Sequence, residues 1–241
     1  MRFRIRKIGV IVAVLTFVYA LFWWHLNEAY LGHSLSDVLV WMNGSGTGGY
    51  SSLLAYGTYY CLIFLIFSNI IVSDENVIEI ARMKNRLSFI RLRNVEIIIS
   101  SIIFSTIIIG INVILTSMVL RPVYLIERGF YIASLFQYFA IILFYWWVGV
   151  LFQLIFDIFN NKVIALLSTF LLISALYFVG LIYVLVWTPL KDMMLYEQIL
   201  ASGSSNINLL IVYARQLILV VVLYNMSKKI FIEKDIFENE K

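Results

Sequence analysis

The chain has 241 residues, a formal net charge of +4, 62% hydrophobic and only 13% charged residues, with a mean hydropathy of +0.94. Soluble domains carry about a quarter charged residues, so a soluble globular domain is excluded and the composition reads as an integral membrane protein. The single cysteine, Cys61, lies inside an apolar run, which excludes a disulfide framework and a cysteine metal site.

A helix needs about 20 mostly apolar residues to cross a hydrocarbon core of roughly 30 Å. Six such runs occur, over residues 8–24, 52–72, 96–120, 131–156, 163–187 and 207–226. Runs such as IIISSIIFSTIIIGINVIL are too long and too evenly apolar for barrel strands of alternating polarity. The predicted fold is an all-α membrane domain of six transmembrane helices, a single unit over residues 1–241.

The first run follows the basic start MRFRIRK and ends in Phe22, Trp23 and Trp24 rather than in a small-residue cleavage site, so it reads as a retained anchor. The loop after it, 25–50, lacks Lys and Arg and ends in NGSGTGGY, which has no Lys-Ser/Thr to reach a phosphate and reads as a flexible loop. His25, His33, Glu28 and Asp37 share that loop, but their spacing matches no usual metal-ligand pattern, so no metal site is assigned.

Between the second and third runs lies the charged segment 73–94, SDENVIEIARMKNRLSFIRLRN. Ile80, Met83, Leu87 and Ile90 recur at spacings of three, four and three, which lays one apolar stripe along a helix. Arg82, Arg86 and Arg93 fall on another side, flanked by Lys84 and Arg91. Ser73 as cap, with Asp74 and Glu75 in the first turn, suits a helix start. Such a helix either lies on anionic lipid or sets its stripe into a groove on a soluble partner.

In the third and fourth runs, Ser100, Ser101, Ser105, Thr106, Gln137 and Gln153 either line a polar path or, as the default, hydrogen-bond between packed helices. Trp23, Trp24, Trp146 and Trp147 read mostly as interfacial belts and packing. Asp157 and Lys162 bracket a short turn and are expected to be solvated. Residues 189–201, PLKDMMLYEQILA, are too short to span and read either as an interfacial or re-entrant helix or as an ordered loop. In the last run Arg215, beside Gln216, lies deep enough to be costly unless it faces protein or water. It either forms an internal ion pair or lines a substrate path, with Glu197 or Glu127 as candidate partners, or it snorkels to the headgroups.

Orientation follows the distribution of basic residues. Counting alternate sides, Arg2, Arg4, Arg6, Lys7, Arg82, Lys84, Arg86, Arg91, Arg93, Lys162, Lys228, Lys229, Lys234 and Lys241 fall together, against Arg121, Arg128 and Lys191. Both termini and the 73–94 segment are therefore expected in the cytoplasm, and the net charge needs no nucleic acid to explain it. No HExxH, no GxSxG and no paired intramembrane carboxylates occur. No catalytic, cofactor-binding or metal-ligating residue is therefore expected, and the chain is not expected to be an enzyme.

Six spans, a basic amphipathic helix between the second and third, an amphipathic segment between the fifth and sixth and the tail SKKIFIEKDIFENEK together resemble the membrane subunit of a type-2 ATP-binding-cassette exporter. The closest flavour is the small bacterial permease group linked to export of, or immunity to, bacteriocins and other antimicrobial peptides. The resemblance implies that IEIARMKNRLSFIRLRN is a coupling helix docking on an ATPase, with Ile80, Met83, Leu87 and Ile90 in its groove and Arg82, Lys84 and Arg86 making polar contacts. It implies ATP and Mg on separate ATPase subunits, a second permease copy or a related permease, a bacterial cytoplasmic membrane and a peptide or amphipathic cargo moved outward. The alternative reading is a non-transporting membrane immunity or scaffold protein.

Overall fold

A computed structural model describes residues 2–31, 38–44, 48–72, 86–183, 185–202 and 208–233. Among the described residues every regular element is helical. The helices are α1 (Arg2–Asn27), α2 (Val38–Asn43), α3 (Tyr60–Ile71), α4 (Arg86–Val119), α5 (Pro122–Glu127), α6 (Phe130–Phe159), α7 (Lys162–Ile182), α8 (Leu195–Ser202) and α9 (Leu209–Glu233). Among the described residues five helical stretches are long and apolar enough to cross a membrane: Gly9–Tyr30, which continues α1 into the next turn, and stretches within α4, α6, α7 and α9. The second apolar run is served by a shorter apolar helix, Ala55–Ile71, whose first residues, Ala55–Tyr59, form a π-helical turn leading into α3.

The ends of these helices follow local chemistry. Pro122 starts α5, where its missing N–H is no loss, and Gly129 turns the chain into α6 with φ 68°, a conformation that suits a residue without Cβ. Asn160 ends α6 at φ 53°, and the Asn161 side chain accepts from the N–H groups of Val163 and Ile164 at 3.0 and 3.2 Å to start α7. Two adjacent asparagines thus make the whole turn between two long helices.

The sequence-based boundaries move in three places. The third span is preceded by helix rather than by a break, so α4 runs 34 residues from Arg86, about 51 Å at 1.5 Å per residue, and projects well beyond a core of roughly 30 Å. The fifth run ends as helix at Ile182, leaving Tyr183 and residues 185–188 as non-helical chain. The 189–201 segment is broken at Met194 into a 3-10 turn, Pro189–Met193, and α8. Of its apolar residues Leu190, Met193, Leu195, Ile199 and Leu200 are buried in protein and Met194 is half-buried, so the segment packs on the bundle rather than lying on the membrane surface. Together with α2 it caps one end of the bundle.

α6 is the central helix, packed by α4, α7, α8 and α9, while α1 lies on α4. Aromatic rings fill this core: Phe104 meets Tyr19, Phe64 and Tyr145 edge-on, and Tyr145 also contacts Phe144. The close approach of α4 to α6 depends on Gly149, where an added Cβ would come within 2.5 Å of Ile97 Cγ2. Ile97 is buried and β-branched, so that methyl has little freedom to move. Gly149→Ala is expected to lower stability by about 1–3 kcal/mol, the usual cost of overpacking. Ile97→Ala in the same chain should return part of that loss, as a double-mutant cycle on unfolding in detergent would measure. Simple additivity of the two changes would contradict the close approach.

Candidate functional site

The expected coupling residues Ile80, Arg82, Met83 and Lys84 lie outside the described residues, as does the Arg86 side chain. Leu87 is half-buried, whereas Ile90 is buried with Phe89 and Phe231 at the end of the bundle. The segment from Arg86 onward is not a separate helix but the first turns of α4.

One turn further along α4 stands a clamp. Arg93 donates from Nη1 to Asp157 Oδ1 at 2.8 Å and from Nη2 to Asp157 Oδ2 at 2.6 Å, a bidentate pair. Arg93 Nη2 also donates to Ser227 Oγ at 3.2 Å, and Ser227 Oγ donates to Asp157 Oδ2 at 3.1 Å. Phe89 and Phe231 stack with centroids 5.5 Å apart, and the Arg93 guanidinium lies 5.0 Å from the Phe231 ring. The clamp joins the start of α4, the end of α6 and the end of α9. Its neighbour Asn94 accepts from Trp146 Nε1 at 3.0 Å, adding a second tie from α4 to α6.

This corrects the expectation that Asp157 is a solvated turn residue: it is buried, because its carboxylate meets a cation from another helix. Arg93, taken from sequence as part of a basic helix side, points into protein. A charge of one sign at the start of one span and of the other sign at the end of the next was the available signal.

At the opposite end the predicted pair Arg215 and Gln216 is brought together with Asp192. Arg215 Nη2 donates to Asp192 Oδ1, Gln216 Nε2 donates to Asp192 Oδ2 at 3.1 Å and to the Pro189 carbonyl at 2.9 Å, and Trp187 Nε1 donates to Asp192 Oδ1 at 3.2 Å. Gln216 Oε1 in turn accepts from Trp147 at 2.7 Å. Burial raises the Asp192 pKa, opposed by the hydrogen bonds from Trp187 and Gln216 and by the Arg215 charge. Arg215 is therefore ion-paired within the protein, and its partner is Asp192 rather than Glu127 or Glu197. The pair holds the Pro189–Met193 turn onto α9.

A third cluster, missed in the sequence, centres on Asn112 of α4. Its Oδ1 accepts from Trp23 Nε1 at 3.0 Å. Its amide hydrogens are shared among Asn43 Oδ1 at 2.9 Å, Tyr196 Oη at 3.2 Å and Ser51 Oγ at 3.3 Å. Tyr196 passes a further hydrogen bond to Ser134 Oγ at 2.8 Å. Trp23 and Trp147 are thus buried donors rather than members of an interfacial belt, whereas Trp24 is exposed. Gln137 does bond across elements, to the Met193 carbonyl at 3.0 Å, but Ser100 and Ser101 return to carbonyls of their own helix, of Glu96 and Ile97. Among the described residues no three His, Cys, Asp or Glu side chains gather as a metal site.

All three clusters are hydrogen-bonded networks that join separate helices. What they do chemically is fix helices against one another. Compared with protein-family models, curated proteins and solved structures, the chain gives no match.

Proposed function

We propose that this chain is the permease subunit of an ATP-driven exporter, similar to type-2 ATP-binding-cassette systems, in a bacterial cytoplasmic membrane. It pairs with a second permease, borrows its motor from a separate ATPase that holds ATP and Mg, and moves a peptide or amphipathic molecule outward. In this reading the Arg93 end is cytoplasmic, Ala55–Ile71 completes six spans and residues 73–94 meet the ATPase.

One observation carries the reading. Helix α4 begins within the charged segment, at Arg86, and runs unbroken to Val119, and the Arg93–Asp157–Ser227 clamp ties its first turns to α6 and α9. Force applied at the segment therefore reaches three long helices together, which is what a borrowed motor requires. Ile90 is buried with Phe89 and Phe231, so in this reading the docking contact falls to Ile80, Met83 and Leu87, with Arg82, Lys84 and Arg86 as polar flanks.

Co-expression with the ATPase encoded beside it tests the docking. The wild-type chain should purify with the ATPase, and Met83→Asp with Leu87→Asp should abolish that association, because each carboxylate would be buried in an apolar groove without a partner. Undiminished co-purification of the double variant would contradict the docking role. A chain that functions without any ATPase would instead be a non-transporting immunity or scaffold protein.

A further inference from the structure

Non-helical backbone is costly at membrane depth, because every peptide N–H and C=O needs a partner and lipid supplies none. The stretch that leaves α7 joins such backbone to strongly exposed apolar side chains: Tyr183 is 58%, Leu185 101%, Val186 48% and Trp187 41% exposed. It follows directly on a helix of membrane-spanning length and composition. It therefore emerges at the membrane boundary.

Several of its polar groups find partners within the protein. Lys191 Nζ donates to the Tyr183 carbonyl at 3.0 Å and to the Val186 carbonyl at 2.5 Å. The Val186 N–H donates to the Tyr183 carbonyl at 3.0 Å, and Trp187 Nε1 is held by Asp192. Carbonyls in bulk water are hydrated without help, so a cation drawn onto two of them matters where water is scarce. The exposed side chains are those of an interfacial anchor: the aliphatic Leu185 and Val186 with Tyr183 on one side and Trp187 on the other.

We infer that Tyr183 and residues 185–187 insert into the headgroup and acyl boundary of the leaflet at the end opposite Arg93, with phospholipid as the occupant of this apolar surface. Leu185 and Val186 lie among acyl carbons, Tyr183 and Trp187 lie at the glycerol level, and Lys191 supplies hydrogen bonds to the Tyr183 and Val186 carbonyls. Trp187 also carries the Arg215 guanidinium 5.2 Å from its ring, so the lipid contact and the Asp192–Arg215 pair form one connected structure. This inference stands apart from the transport reading and holds for any function of the chain.

Leu185→Cys, labelled with an environment-sensitive fluorophore and placed in phosphatidylcholine and phosphatidylglycerol nanodiscs, tests it. The parent chain, whose Cys61 is buried, supplies the labelling background. The label should emit as in an apolar medium, lose most of its emission to lipid carrying a nitroxide near the glycerol end of the acyl chain, and resist iodide. Quenching by iodide without quenching by the nitroxide lipid would overturn the inference. So would protection from both quenchers with crosslinking between copies through the introduced thiol, since a protein would then cover the surface. Lys191→Met should shift the same label toward iodide and away from the nitroxide; unchanged quenching would refute the role given to the ammonium.

Discussion

Arg93→Met is expected to cost the folded protein about 3–5 kcal/mol, the loss that follows when one partner of a buried ion pair is removed and the other charge is stranded. Both partners are buried, and Asp157 would keep only Ser227 among the contacts described above. The pair itself is a different matter, because the desolvation of two ions offsets most of their attraction. Arg93→Met with Asp157→Leu should therefore recover most of the stability, and the methionine can still lie against Phe89 and Phe231. Chemical unfolding of the three variants in one detergent separates these outcomes. Equal losses in the single and double variants would mean that packing, not the stranded carboxylate, sets the cost.

Asn112→Leu is expected to produce the second large loss. It leaves the Trp23 N–H and the Asn43 carbonyl oxygen of its side chain without their partner, in a region where Trp23, Asn43 and Tyr196 are all buried. An orphaned buried polar group costs about 1–3 kcal/mol, against roughly 0.6 kcal/mol for an average hydrogen bond between membrane helices. The hub should lie above that average because one amide serves α1, α2 and α8 at once. Trp23→Phe removes a donor without stranding one, so combined with Asn112→Leu it should cost less than the sum of the two. Additive losses would show that Asn112 and Trp23 act independently.

Much of the fold was legible because lipid imposes a simple rule: long apolar runs must be helices that satisfy their own backbone. That rule gave the all-helical class and six expected spans, of which five are matched, among the described residues, by helices long and apolar enough to cross a membrane, and it marked Arg215 as a charge that needs protein or water. It did not find Asp192 as the partner, because Asp192 stands in a loop whose path depends on tertiary packing of Pro189–Met193 against α9. Nor could periodicity separate Arg93 from Arg82 and Arg86. All three lie among basic residues in sequence, and only the approach of α6 and α9 gives Arg93 a carboxylate. Asp157 looked like a turn residue for the same reason. The polar hub was hidden because Asn112, Asn43 and Ser51 are far apart in the chain and each is unremarkable alone. Gly149 likewise gives no signal until Ile97 is laid across it.

The most direct test of the coupling account is ATP hydrolysis by the partner ATPase, measured in nanodiscs with the wild-type chain and with Met83→Asp combined with Leu87→Asp. The account predicts stimulated hydrolysis with the wild-type chain and a return to the rate of the isolated ATPase with the variant. Equal stimulation by both chains would contradict it.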